Sequence, residues 1–511
     1  MKDIKTVIVD ANCRNRREFL KGSLMGLAGL TLGTSCRSWA SAREGKVNIL
    51  LITSEDHGPQ LGCYGDPYTK TPCLDKLAKE GIRFTNAHVT QAGCSPSRSS
   101  MLTGLYPHEN GQIGLATHHL RMYRDDTPNL FSVLKSAGYR TGLIGKLHVN
   151  PESAFPRDFE ERLGGFEHRD VRVEAATAET FIKQDDKPFF LMVNYKDAHD
   201  PFIRQSEGLP EHPLGPDDVK PLPHFGLDSP LLRQQTADYC NCIQRLDAGI
   251  GMLSDVLDRC GKRDNTLVIF LSDHGIDSLR GKRTCFEGGT KVPLMIRWPG
   301  QIKPGQVREE LVSTIDFMPT ILTAAGISAP APLPGLALQP AFNGAPKQWR
   351  QYLFTEYHLH SGHNFNPQRA VRDSRYKLIQ NLMHGQLNPG YTFTMNKKAP
   401  KDTEGALRQA PKNVQNAYER ERVPPKYELY DLQNDPYEFD NLAEKPQYKK
   451  EFERLRDELE RWRRQSPDPL LNPKNVERLK DEVYSRWKDN DDMETYKKRD
   501  GWQYPDYFFE H

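Results

Sequence analysis

Four short apolar runs punctuate the chain, and each stops abruptly at ionisable residues. KVNILLIT (46–53) gives way to Ser54, Glu55, Asp56, His57 and Gly58, and NTLVIFLS (265–272) to Asp273, His274 and Gly275. PFFLMVNY (188–195) runs toward Lys196, Asp197 and His199, and YRTGLIGKLH (139–148) ends on Lys146 and His148. Continuous, partly β-branched runs of this length read as strands buried on both faces. Between them, TPCLDKLAKEG and TPNLFSVLKSAG space apolar residues three and four apart and close on glycine, the pattern of helices with a C-terminal stop. Alternating strands and helices predict an α/β fold with a large, doubly wound, mostly parallel sheet. Ligands of such sheets bind beyond the carboxyl ends of the strands, so one pocket is expected to receive all four sets of ionisable residues.

After about residue 345 the pattern changes. Prolines cluster in APAPLPG (329–335), and YLFTEYHLH, RAVRDSRYKLIQNL and KYELYDLQNDPYEFDNLA read as shorter, solvent-alternating strands of a smaller antiparallel sheet. EFERLRDELERW then sets Phe452, Leu455, Leu459 and Trp462 on one face of a packing helix. The expected organisation is a leader (1–42), a large domain carrying the ionisable strand ends (43–345), a C-terminal subdomain (346–465) and a polar tail laid over the surface (466–511).

Composition narrows the function. At 511 residues, 37% hydrophobic and 27% charged, the chain is long enough to bury more than one small core. Its 70 basic and 68 acidic residues leave a formal charge of +2, without the broad basic field that nucleic-acid binding uses. An anionic ligand must therefore be held by a local cluster. In the leader, Arg16 and Arg17 precede the apolar SLMGLAGLTLG and a small-residue site ending at Ala42. This reads as a twin-arginine export signal, which implies the twin-arginine translocase as a partner and a periplasmic or secreted protein. A cytosolic protein with a disordered amphipathic leader is the alternative. The apolar run is too short for a stable membrane span.

Seven cysteines follow the leader, at 63, 73, 94, 240, 242, 260 and 285. Their odd number and irregular spacing fit neither a disulfide framework nor paired zinc sites. Cys94 is set apart by its context, GCSPSRSSMLTG, which places it at the start of a helix with Arg98 close behind.

Taken singly, acids such as Glu55 and Asp56 cap helices or satisfy loop amides. Together, Glu55, Asp56, Asp273 and His274 at two strand ends suggest a hard divalent cation, calcium or magnesium, although the softer imidazole of His274 leaves the metal's identity open. Arg98, Lys146 and Lys282 form a second set. Converging on one pocket with a metal and the amides of the helix that begins near Pro96, they would neutralise a compact tetrahedral anion. The combination favours sulfate or phosphate ester chemistry.

The stretch CSPSR…LTG resembles the sulfatase signature C-x-P-S-R-x-x-x-L-T-G, in which the cysteine is oxidised after translation to formylglycine. NILLITSED, GKLH, KDAHDPF, LVIFLSDHG and RGKRTCFEGGTKVPLMIRWPG fit the same family in order. The resemblance implies an alkaline-phosphatase-like fold, a calcium ion with magnesium or manganese as alternatives, and a formylglycine-generating enzyme as a partner. It also implies roles. Glu55, Asp56, Asp273 and His274 bind the metal with the modified Cys94; Arg98 and Lys146 steady the nucleophile and sulfuryl oxygens; His148 takes the proton that triggers sulfate release; His199 and Lys282 serve the leaving group. The oxidation has a chemical rationale. A thiolate attacking sulfur leaves an adduct with no internal way of breaking down, whereas an aldehyde hydrate takes the sulfuryl group on one hydroxyl and expels sulfate with the other. Glu55 and His274 depart from the family pattern, in which aspartate and asparagine are usual.

Within the family, CSPSRSSMLTGLYPHENGQIGL, RTGLIGKLHVNPESAFPRDF and YELYDLQNDPYEFDNLA are most similar to the sulfamidase branch. That likeness implies an exo-acting enzyme removing the N-sulfate of a terminal glucosamine in heparin or heparan sulfate fragments. The alternatives are an O-sulfatase of another glycan, a phosphate or phosphonate ester hydrolase, and an inactive protein that binds sulfated glycans. In EYHLHSGHNFNPQR, His363 and Arg369 are the expected sugar contacts.

Overall fold

The run Asn48–Ser54 is a strand in which every residue is buried, yet successive side chains enter two different cores. Leu50 and Ile52 pack with Leu191, Val193, Val268 and Phe270, while Ile49 and Leu51 pack with Phe190, Met192, Leu267 and Ile269. Side chains alternate along a strand, so an unbroken apolar run is what a sheet covered on both faces requires. A computed structural model describes residues 46–165, 167, 169–362, 364–486 and 502–508. The export signal expected over residues 1–42 therefore lies outside the described residues. From Lys46 onward the chain clusters as one compact unit.

The larger sheet is built from β1 (Asn48–Ser54), β2 (Ile82–His88), β3 (Arg140–Ile144), β4 (Phe159–Glu161), β5 (Phe189–Asn194), β6 (Thr266–Ser272), β7 (Lys291–Arg297), β8 (Gln306–Arg308) and β9 (Val312–Ser313). Its order is β4-β3-β5-β1-β6-β7-β2-β8, with β9 also on β2. The pairs from β4 to β6 are parallel, while β7 runs antiparallel to both β6 and β2. The thirty-residue helix Pro230–Arg259 covers one face through Leu246, Ile250 and Leu253. The helices Leu130–Ser136 and Phe317–Ala324 cover the other. The expected α/β class with a mostly parallel doubly covered sheet is thus observed, and β7 supplies the antiparallel exception.

A smaller antiparallel sheet follows: β10 (Leu353–Tyr357), β11 (Gln368–Arg372), β12 (Tyr376–Asn381) and β13 (Tyr427–Asp431). Solvent alternation was the expectation for these strands, yet β11 is buried throughout. Val371, Leu378 and Leu429 meet Leu455, Leu459 and Trp462 of the helix Lys449–Gln465 on one face. Ala370, Ile379 and Tyr430 meet Cys285 and Phe286 on the other, so the small sheet is pressed against the loop that leads into β7. The tail also departs from expectation. Pro473–Arg486 is a helix whose Val476, Leu479 and Val483 are buried with Ile113, Leu120 and Leu359. Among the described residues no helix is long and apolar enough to cross a membrane.

Polar ties lock these parts together. His108 Nδ1 lies 2.6 Å from Glu356 Oε2, and its Nε2 lies 2.7 Å from the Ser466 carbonyl. With an acceptor at each nitrogen the ring is held as an imidazolium. Burial opposes that charge, but Glu356 raises His108 to about 9. Burial likewise pushes Glu356 up, and His108 and Arg369 outweigh it to bring the carboxyl to about 2.

Replacing His108 by Ala leaves Glu356 buried without its main partner and is expected to cost about 3–5 kcal/mol in denaturant unfolding. The histidine's contribution is complete below 6.5 and lost as pH rises through about 9. That of Glu356 is complete above 4.5 and lost as pH falls toward about 2. The difference between wild type and His108→Ala should therefore peak between those limits and shrink in alkali; a difference independent of pH would refute the ion pair.

Candidate active site

The strand ends of the larger sheet converge. Glu55 and Asp56 leave β1, and Asp273 and His274 leave the neighbouring β6, where the Asp56 amide donates to Asp273 Oδ1 at 3.1 Å. Asp56 is held at a φ of 53°, in the left-handed region that non-glycine residues rarely adopt and that clusters at functional sites. Beyond β3 the chain turns at Gly145, where φ is 90° and an added Cβ would meet the Asn194 carbonyl at 2.5 Å. Only glycine lets Lys146 pass so close to the end of β5. Cys94 opens the wholly buried helix Cys94–Thr103, whose N-cap Gly93 has no side chain to satisfy the first-turn amides.

Three carboxylates here face three cations. Lys146 Nζ lies 2.6 Å from Glu55 Oε2, and Lys282 Nζ lies 3.0 Å from Asp56 Oδ2 and 3.3 Å from Cys94 Sγ. Arg98 donates through Nε to Asp273 Oδ2 at 3.1 Å and through Nη1 to the Lys146 carbonyl at 3.0 Å. Burial penalises every one of these charges, and the opposing partners prevail. Despite burial, Lys146 and Arg98 hold Glu55 at about 2, and His274 and Arg98 do the same for Asp273. Burial also opposes Lys282, which Asp56 and Cys94 keep protonated.

Asn194, the polar residue that ends β5, ties the two sets together. Its Nδ2 donates to Glu55 Oε1 at 2.9 Å, and its Oδ1 accepts from Thr53 at 2.8 Å and from Arg98 Nη2. Asn194 was not among the residues expected from sequence, and its signal there is a polar residue closing an apolar run.

Cys94 differs from the other described cysteines. Burial raises Cys63, Cys240, Cys242 and Cys285 to about 12. Cys94 is buried as well, but Lys146, Lys282 and His274 outweigh the burial and bring it down to about 7. Its sulfur lies 3.3 Å from His274 Nε2. Because His274 Nδ1 faces the Gly275 carbonyl at 2.9 Å, Nε2 is the nitrogen presented to Cys94 and, at 3.2 Å, to Asp56 Oδ1. Ligand atoms of Asp56, Cys94, Asp273 and His274 all lie within 4.8 Å of one another, and a second such group joins Glu55, Asp56, Cys94 and His199. Glu55, expected among the metal ligands, thus falls in the second group, with both its oxygens engaged by Lys146 and Asn194.

From Cys94 a cavity of about 560 Å³ opens, lined among others by Lys146, His148, His199, Lys282, Arg283 and His360. His148 has a φ of 57°, and burial reinforced by Lys146 and Arg98 keeps it neutral, far below the usual imidazole range. His199 turns Nδ1 to the Asp200 carbonyl at 2.6 Å. A larger groove of about 860 Å³ contains none of the site residues expected from sequence.

The two expected sugar contacts fare differently. His363 lies outside the described residues. Arg369 is a correction: it is fully buried in β11 and does not line the cavity. Its guanidinium meets Asp468 at 2.9 and 2.8 Å and His358 Nε2 at 3.0 Å, so its charge is spent on internal structure. Among the described residues of the same stretch, His360 reaches the cavity.

The family profile described as Sulfatase matches residues 47–327, more than half of the chain. The chain belongs to the sulfatase family. A second profile, described as N-sulphoglucosamine sulphohydrolase, C-terminal, matches residues 275–421. This sulfatase is 32% identical over 468 residues to the N-sulphoglucosamine sulphohydrolase of Homo sapiens, a match covering 83% of this chain and 91% of that one. It is 31% identical to an ulvan-active sulfatase of Formosa agariphila, over 85% of each chain. Among solved structures, one in complex with its substrate D-glucosamine-2-N,6-O-disulfate is similar with a TM-score of 0.63 at 23% identity, covering 83% of this chain and 99% of that one. The phosphonate monoester hydrolase of Agrobacterium radiobacter is similar with a TM-score of 0.62 at 20% identity, covering 82% and 96%. At those identities the solved structures attest the fold alone.

Because Asn194 orients both Glu55 and Arg98, Asn194→Ala should lower kcat/KM on an aryl sulfate by roughly 10- to 100-fold, the usual effect of losing a group that orients site residues. The far-ultraviolet circular dichroism should stay that of the wild type; activity within twofold or so of wild type would show that Asn194 is not a positioning residue.

Proposed function

We propose that this sulfatase removes the N-sulfate from a terminal glucosamine of heparin or heparan sulfate fragments, after oxidation of Cys94 to formylglycine. The observation that carries the reading is the match of residues 275–421 to the N-sulphoglucosamine sulphohydrolase profile, because that stretch supplies Lys282, Arg283 and His360 to the cavity wall. The cavity's volume suits one or two sugar units, which agrees with attack at a chain end.

A divalent cation fits the site, since Asp56 and Asp273 are buried carboxylates that repel one another beside an imidazole nitrogen. Asp56, Asp273, His274 and the group at position 94 would hold it, and when bound it polarises the sulfuryl oxygens. Calcium is the cation of choice, with manganese the alternative that His274 favours. Formylglycine in its hydrated form supplies the nucleophilic hydroxyl. Arg98 and Lys146 steady the nucleophile and the sulfuryl oxygens, and His199 and Lys282 serve the leaving nitrogen. His148, neutral and lining the cavity, takes a proton from the second hydroxyl of residue 94, the step that lets sulfate depart. Export by the twin-arginine route, supported by Arg16 and Arg17, belongs to the same reading.

His274 also favours a second reading, phosphate or phosphonate ester hydrolysis. An enzyme of that kind would turn over an aryl phosphate or phosphonate better than the matching aryl sulfate.

Mature enzyme is expected to release sulfate from oligosaccharides ending in N-sulfated glucosamine and not from those sulfated only at O6; the opposite preference would overturn the substrate assignment. The peptide carrying residue 94 should be lighter than its cysteine form, with sulfur and two hydrogens replaced by one oxygen, and Cys94→Ala should release no sulfate. Chelation is expected to abolish turnover and to lower the melting temperature, with both restored by calcium. Recovery with manganese alone would identify the cation as manganese.

A further inference from the structure

His360 differs in origin from the cavity residues Cys94, Lys146, His199 and Lys282. It follows β10 and so is carried by the smaller sheet, whereas Cys94, Lys146, His199 and Lys282 come from segments of the larger one. Its main chain is fixed at both ends: the amide donates to Asn364 Oδ1 at 2.9 Å, and the carbonyl accepts from the Leu115 amide at 3.0 Å. The ring lies over the start of the nucleophile's helix, with Nδ1 3.6 Å from where a Cβ on Gly93 would stand. Nδ1 is buried and has no hydrogen-bond partner among the described residues. Burial, reinforced by Lys282 and Arg283, holds the imidazole well below its ordinary range, so it is neutral.

A neutral imidazole offers one donor and one acceptor. Lys146 already faces the sulfuryl group and Lys282 the leaving group with full charges, to which a neutral ring adds little. A hydroxyl, which also donates and accepts, is its natural complement, and a buried polar atom left unmatched is costly. We propose that His360 is the specificity-determining residue that hydrogen-bonds a ring hydroxyl of the saccharide while the sulfate lies at residue 94. The proposal rests on the reading of the enzyme as one that acts on a terminal sulfated glucosamine. It also accounts for a wall built from the second sheet, because the group that reads the sugar is separate from those that handle sulfur.

The test compares wild type, His360→Ala and His360→Gln on three substrates: a saccharide ending in glucosamine sulfated at nitrogen, the same saccharide sulfated at O6, and an aryl sulfate without hydroxyls. Selectivity is the ratio of kcat/KM on the saccharide to kcat/KM on the aryl sulfate. His360→Ala should lower that ratio roughly 10- to 100-fold, and His360→Gln, which keeps a donor and an acceptor, should recover part of it. Equal losses on saccharide and aryl sulfate would mean a merely structural role and overturn the proposal, as would an unchanged ratio. The ratio is taken on whichever saccharide the wild type desulfates. A wild-type preference for the O6-sulfated saccharide thus overturns the N-sulfate assignment while leaving the role of His360 to be decided by its own ratio.

Discussion

Everything at the candidate active site depends on the balance of buried charge between Glu55, Asp56 and Asp273 on one side and Arg98, Lys146 and Lys282 on the other. Neither set is stable inside the protein alone, because an unpaired buried charge costs several kcal/mol. The six residues come from five separate segments, so the balance exists only when the strands β1, β3 and β6, the helix Cys94–Thr103 and the loop holding Lys282 have all taken their places. Assembly and function are therefore coupled: the sheet's two apolar cores supply the stability that lets charges be gathered at its edge. Cys94 sits within this arrangement, and that is why its thiol is depressed while burial raises the other cysteines.

The same constraint explains what was legible in the sequence. A buried parallel strand needs an unbroken apolar run, and the point where it meets the pocket is marked by an abrupt change to charge. Glu55, Asp56, Asp273, His274 and Lys146 were visible for that reason, and the motif around Cys94 pointed to the sulfatase family that the profile match shows. Asn194 was harder to see because its importance lies in three partners from other strands and helices, Thr53, Glu55 and Arg98. Arg369 misled because an arginine beside histidines resembles a ligand site, while the carboxylate that neutralises it, Asp468, lies 99 residues further along the chain. The helix Pro473–Arg486 was obscured in a similar way: its apolar residues are sparse among charges, and the core they join is formed by Ile113, Leu120 and Leu359.

Long-range ties of this kind also set the geometry of the cavity wall. Gln91 donates to the carbonyls of Ile113 and Leu359, and its Oε1 lies 3.1 Å from His358 Nδ1. His358 is in turn held by Arg369, and Arg369 by Asp468, while Arg463 adds a second cation to Asp468 at 2.6 Å. This chain runs from the segment just before Cys94, through the small sheet, to the start of the C-terminal helical region. It fixes Leu359, and with it His360, relative to Gly93 by hydrogen bonds rather than by apolar packing, which tolerates sliding. The hydroxyl contact proposed for His360 would need directional support of that sort. The ion pair with Asp468 that keeps Arg369 from the cavity thus also holds His358, and through it the neighbouring His360, in register with the helix that begins at Cys94.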